Sequence, residues 1–145
     1  MTLATRAREF NTMYGLPTPA RPVMGNPQEF IKRMGIFRKM LEDEVSELDE
    51  IVAKAADGSP EAEVLTDLAD WLGDIQVYCM TEMIRFGLPG DLVLNAIMDS
   101  NASKLGADGQ PIVVGDKVIK GPGYWKPEPR IRAALEHLMA GGHEA

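Results

Sequence analysis

The chain has 145 residues, of which 45% are hydrophobic and 26% charged, and its formal net charge is −7. That suits one globular domain, residues 1–145, with enough apolar side chains for a core. The acidity excludes a nucleic-acid duplex or an anionic membrane as the expected partner, since both select a basic face.

The first expected element is a short helix over 3–14, with Phe10, Met13 and Tyr14 on one side. Nothing in Met1–Arg8 resembles the apolar region of a signal peptide. No apolar run approaches the ~20 residues of a membrane span, so a cytoplasmic protein is expected. Pro17, Pro19 and Pro22 then force an extended segment.

A helical core is expected over about 27–104. Asn26 is a good N-cap and Pro27 suits the first helical position. Phe30, Met34, Phe37, Leu41, Val45, Leu48 and Val52 follow at steps of three and four, so one long helix should run to Gly58. Ser59-Pro60-Glu61 repeats the start signal, and Val64, Leu68, Leu72, Ile75 and Cys79 stripe a second long helix ending near Phe86. Cys79 is the sole cysteine and reads as a core thiol, which leaves no intrachain disulfide and implies a reducing compartment. After Gly87-Leu88-Pro89-Gly90, Asp91 can cap a further helix. A hairpin and loop tail occupies about 110–127, with Ile112–Val114 and Lys117–Ile119 flanking Gly115-Asp116. A last helix covers about 130–139, with a frayed end. The expected fold is therefore all-α: an antiparallel helical bundle with a small C-terminal β-hairpin and loop.

Two acidic runs break the apolar stripes: Glu42-Asp43-Glu44 with Glu47, and Asp67, Asp70 and Asp74. At 100° per residue, Glu44 and Glu47 share a face, and so do the three aspartates. Antiparallel packing would set the two faces across one groove. Each carboxylate pair at ~4 Å then costs on the order of 4 kcal/mol at an effective dielectric near 20. Oxygen-only ligands would offset this by binding a hard cation, Mg²⁺ or, as a substitute, Mn²⁺. His137 and His143, the only histidines, lie near the C-terminus, which argues against zinc and against a di-iron bundle. The plainer alternative is that these acids are solvated surface.

The pattern resembles the MazG-like all-α nucleoside triphosphate pyrophosphohydrolases, a group that includes phosphoribosyl-ATP pyrophosphohydrolase. Their motif is Glu-Glu-x-x-Glu on one helix and Glu-x-x-Asp on the next. Asp43-Glu44-Val45-Ser46-Glu47 matches the first part, with Asp for the first Glu. In the second part, Asp67-Leu68-Ala69-Asp70 has the spacing, whereas Trp71-Leu72-Gly73-Asp74 has the right distance to the downstream motif but Trp in place of Glu. Ser100-Asn101-Ala102-Ser103-Lys104, Asp108-Gly109 and Gly115–Tyr124 resemble the tail of phage and bacterial members.

The resemblance implies Mg²⁺-dependent hydrolysis between the α- and β-phosphates of a nucleoside triphosphate, giving a monophosphate and pyrophosphate. It implies Glu44, Glu47, Asp70 and Asp74 as metal ligands, with Asp67 the rival for the third position. Glu44, Glu47 and Asp43 would be catalytic, Asp43 taking the water's proton. Asn101, Lys104, Lys120 and Tyr124 would bind substrate, with Trp125 a second stacking candidate. Asn101 and Lys104 also have local readings, as a backbone cap and as a cation at a helix C-terminus. A homodimer or homotetramer is implied, and the nine methionines and wide apolar faces agree with it. Alternatives are a hydrolase of phosphoribosyl-ATP or another phosphorylated nucleotide, and a non-enzymatic nucleotide-binding module.

Overall fold

A computed structural model describes residues 1–143, and the far end of the expected fray, residues 144 and 145, lies outside that range. The elements are α1 (Leu3–Met13), α2 (Pro27–Ser46), α3 (Leu48–Ala56), α4 (Glu61–Arg85), α5 (Gly90–Ala102), β1 (Ile112–Val114), β2 (Lys117–Ile119) and α6 (Glu128–Met139). The all-α bundle with one hairpin is therefore the observed architecture. Among the described residues, no helix is long and apolar enough to cross a membrane.

The small core lies where α1 packs on the C-terminal half of α4. Ala7, Met80 and Ile84 are buried there, with Ala4 and Met83 against them. Asn11, also buried, donates from Nδ2 to the Thr81 carbonyl at 3.0 Å. The proline segment is non-helical as expected, bends at Ala20-Arg21 and crosses the end of α4, where Val23 N–H donates to the Phe86 carbonyl at 3.0 Å. Gly87 lies beneath that crossing. Its φ is +65°, and a Cβ there would stand 2.3 Å from the Arg21 carbonyl oxygen, so only glycine fits.

Asn26 caps α2 as its position predicts: its Oδ1 accepts from the N–H groups of Gln28 at 2.9 Å and Glu29 at 3.2 Å. Two other start signals work differently. Pro60, not Ser59, precedes α4, and no side chain caps it. α5 begins at Gly90, so Asp91 lies in the first turn rather than at the cap. Close approach explains the glycine, since a Cβ at position 90 would meet Met80 Sδ at 2.4 Å.

The first long helix is not continuous. It breaks at Glu47, where the Glu47 N–H donates to the Glu44 carbonyl in a tight turn and Ser46 Oγ donates back to the Asp43 carbonyl at 2.6 Å. α3 then returns antiparallel to α4 through a turn at Gly58. Ser59 N–H reaches the Lys54 carbonyl and Gly58 N–H the Ala55 carbonyl, a Schellman ending. α2 is tied to α4 by Arg33, which grips Glu82 with two nitrogens at 2.9 and 2.5 Å.

The α2 and α4 stripes do not form the core. Phe30, Met34, Phe37, Met83 and Phe86 line an open, apolar trough of about 640 Å³, with Cys79 beside them. Cys79 is exposed there, not a core thiol, because α1 covers the adjoining face of α4 instead. In the hairpin Val113 pairs with Val118 and Ile112 with Ile119. Gly115 takes φ +60° while Asp116 keeps a negative φ, the pattern of a type II′ turn.

Candidate metal and phosphate site

The break at Glu47 builds the candidate site. It turns the end of α2 and the start of α3 around one stretch of α4, and a polar groove of about 210 Å³ opens between them. Its lining includes Glu44, Glu47, Asp67, Asp70 and Asp74, the five acids that spacing places on the two faces, and also Glu50, Lys54 and Trp71. Both acidic helical faces thus meet across one groove.

Trp71 closes the inner wall. Its Nε1 donates to the Glu44 backbone carbonyl at 2.7 Å, pinning α4 to the break. The Glu44 side chain is 6% exposed, and its Oε1 has no hydrogen-bond partner. Burial raises its pKa above the ordinary value, and the nearby charges of Glu47, Asp74 and Asp70 raise it further. A buried carboxylate oxygen left unpaired among like charges is a strong acceptor position for a cation. The donor set is all oxygen, which fits a hard divalent ion. Among the described residues, no three acidic, histidine or cysteine side chains converge closely enough to hold an ion as they stand.

Asp67 and Asp70 separate clearly. Asp67 accepts from Lys54 Nζ at 2.5 Å, and Glu63 lies 3.5 Å from the same nitrogen. Asp70 has no such ion pair among the described residues. The acidic groups therefore do have a protein cation beside them: Lys54 arrives from α3 across the turn, outside both sequence clusters. Asp43 stands outside the groove. It is exposed and pairs with Lys39 one turn back on α2. Asp43 lies 100° round the helix from the buried Glu44, and its ion pair with Lys39 holds it on the solvent side. Glu50, one turn beyond Glu47, takes a place in the lining that the stripe analysis passed over; its spacing of three from Glu47 was the available signal.

Asn101, Lys104, Lys120 and Tyr124 do not line this groove. Lys104, Lys120 and Tyr124 gather instead at the end of α5. Gly121 N–H donates to the Lys104 carbonyl at 2.9 Å, and Lys120 Nζ stands 4.5 Å from the Tyr124 ring centre. Asn101 is exposed on the last turn of α5. The two serines of the Ser-Asn-Ala-Ser-Lys run dock the tail: Ser100 Oγ donates to the Trp125 carbonyl at 2.8 Å, and Trp125 N–H donates to Ser103 Oγ at 3.2 Å. Trp125 lies under Arg130, whose guanidinium carbon is 5.3 Å from the ring centre.

No protein-family profile matches the sequence, and no curated protein matches it. Solved structures do match. One is a crystal structure of a "putative NTP pyrophosphohydrolase" from Exiguobacterium sp. 255-15, which is 22% identical, with 97% of each chain covered and a TM-score of 0.53. At that identity the likeness is one of fold, extending over nearly the whole of both chains.

Proposed function

We propose that the chain hydrolyses a nucleoside triphosphate between its α- and β-phosphates with Mg²⁺, releasing a monophosphate and pyrophosphate. The observation that carries this is the buried, unpaired Glu44 carboxylate facing Glu47, Asp70 and Asp74 in one groove. The motif resemblance and the fold shared with the Exiguobacterium protein point the same way.

In this reading Glu44, Glu47, Asp70 and Asp74 hold the cations. A bound divalent ion offsets the polyphosphate charge and acidifies a water. The chain's own residues do the rest. Trp71 keeps the Glu44 carboxylate aimed into the groove, and Lys54 holds Asp67 apart from the ligands. A groove carboxylate oxygen free of coordination, on Glu44 or Glu47, accepts the proton of the attacking water as the pyrophosphate leaves in line. Asp43 has no part in this.

Self-association belongs to the same proposal, with a second copy of the chain as occupant of the apolar trough. The accessible surface is 10213 Å². A compact monomer of 15.9 kDa exposes about 7,350 Å². Two copies each covering the excess of roughly 2,900 Å² would bury about 5,800 Å² in all, at the upper end of what obligate partners cover. The open faces also have the right spacing. Phe30, Met34, Phe37 and Leu41 on α2, and Leu65, Leu68, Leu72, Ile75 and Cys79 on α4, alternate steps of three and four. Two such layers close into a four-helix bundle, as one layer alone cannot.

A panel of nucleoside and deoxynucleoside triphosphates, extended to phosphoribosyl-ATP, incubated with Mg²⁺ and assayed for pyrophosphate, tests the reaction. Release from at least one of them is expected. Release only from phosphoribosyl-ATP would move the activity to that substrate, and binding without turnover would make the chain a nucleotide-binding module.

A further inference from the structure

We propose that Lys54 binds the outer phosphates of the nucleotide, and the pyrophosphate they become; this rests on the function proposed above. Among the residues lining the acidic groove, Lys54 is the only cation. Lys104 and Lys120, the lysines that the motif resemblance favours, lie at the end of α5, outside that lining.

The position of Lys54 is built rather than incidental. Its backbone carbonyl anchors the Schellman turn that ends α3, so its Cα is fixed relative to the start of α4. Its Nζ is then held by Asp67 at 2.5 Å and Glu63 at 3.5 Å. An ammonium has three N–H donors. Two carboxylates engage two of them and leave the third for an oxygen in the groove. The side chain is 43% exposed, so that donor is accessible. A triphosphate entering the groove brings about four negative charges beside six carboxylates, and divalent ions bound at Glu44, Glu47, Asp70 and Asp74 leave the outer phosphate oxygens short of positive partners. Lys54, at the edge formed by Asp67 and Glu63, supplies one. Glu63 and Asp67 act as positioning residues for it.

Calorimetric titration of the full-length wild type, Lys54→Gln and Lys54→Arg with inorganic pyrophosphate in Mg²⁺ tests this, alongside titrations with Mg²⁺ alone and with a nucleoside monophosphate. Lys54→Gln is expected to weaken pyrophosphate binding about tenfold, the scale of one charged hydrogen bond. Lys54→Arg should stay within about threefold. Mg²⁺ binding should be no weaker in either variant, and the monophosphate, which lacks the outer phosphates, should bind as to the wild type. Pyrophosphate bound equally well by Lys54→Gln would overturn the assignment. So would an equal loss of both products together with a lowered unfolding midpoint, which would mark Lys54 as a strut between α3 and α4. Turnover by the wild type with Lys54→Gln unaffected defeats this inference alone. A wild type that neither binds pyrophosphate with Mg²⁺ nor releases it defeats the functional proposal, and the role of Lys54 with it.

Discussion

The indole of Trp71 donates a 2.7 Å hydrogen bond to the backbone carbonyl of Glu44. In an unbroken helix that carbonyl would serve the N–H of Leu48, one turn on. Here the helix breaks at Glu47, the carbonyl accepts the Glu47 N–H in a tighter turn, and α4 supplies a second donor. One bond therefore ties the break, the buried carboxylate and the opposite wall of the groove together. Trp71 occupies a place where the motif it resembles has Glu. Its contribution is to fix the backbone that carries Glu44.

Trp71→Phe keeps the ring and removes the donor. A loss of about 1 kcal/mol in stability is expected, the usual net worth of such a bond. A weaker apparent affinity for Mg²⁺ should accompany it, because Glu44 is no longer held. Denaturant unfolding and Mg²⁺ titration measure the two effects. Unchanged Mg²⁺ affinity would show that the groove does not depend on the indole.

The raised pKa of Glu44 makes ion-free stability depend on pH in a definite direction. The folded chain binds this proton more tightly than the unfolded chain, whose carboxyl titrates near its ordinary value of 4.5. The contribution of Glu44 to stability is therefore fully present below that pH and declines as pH rises from 4.5 through the raised value. Glu44→Gln should flatten this part of the profile, and Mg²⁺ should restore stability to the wild type at neutral pH. Unfolding midpoints across pH, with and without Mg²⁺, check both. The same slope in Glu44→Gln would place its origin elsewhere.

Asp74→Asn and Glu47→Gln should each abolish Mg²⁺-dependent pyrophosphate release without unfolding the chain. Asp43→Asn should retain it, since Asp43 stands outside the groove and pairs with Lys39. Initial rates on whichever triphosphate is turned over decide this. Loss of activity in Asp43→Asn at normal Mg²⁺ affinity would return the proton-accepting role to Asp43.

Met34→Glu introduces a charge into the apolar trough. If a second copy covers that trough, this variant should sediment as a monomer while the wild type sediments as a dimer or larger. Cys79 lies in the same trough, so a short bismaleimide should link wild-type chains at that residue. A wild type that is strictly monomeric at micromolar concentration would rule out the second copy.

The sequence alone determined the helical class, the Asn26 cap, the hairpin with its glycine turn, and the two acidic helical faces, Glu44 with Glu47 and Asp67 with Asp70 and Asp74. Each follows from spacing or from one residue's backbone preference, which are local properties. The tertiary structure alone decided the rest. It broke the first long helix at Glu47, where the Glu44 carbonyl takes a short turn bond from the Glu47 N–H and a second donor 27 residues away on α4. It paired Asp67 with Lys54 and left Asp70, in the same groove, without such a partner among the described residues, a choice that spacing cannot make when both aspartates share a face. It also left the longest apolar stripes open and put the core under α1, because a stripe records that a face avoids water without recording what covers it.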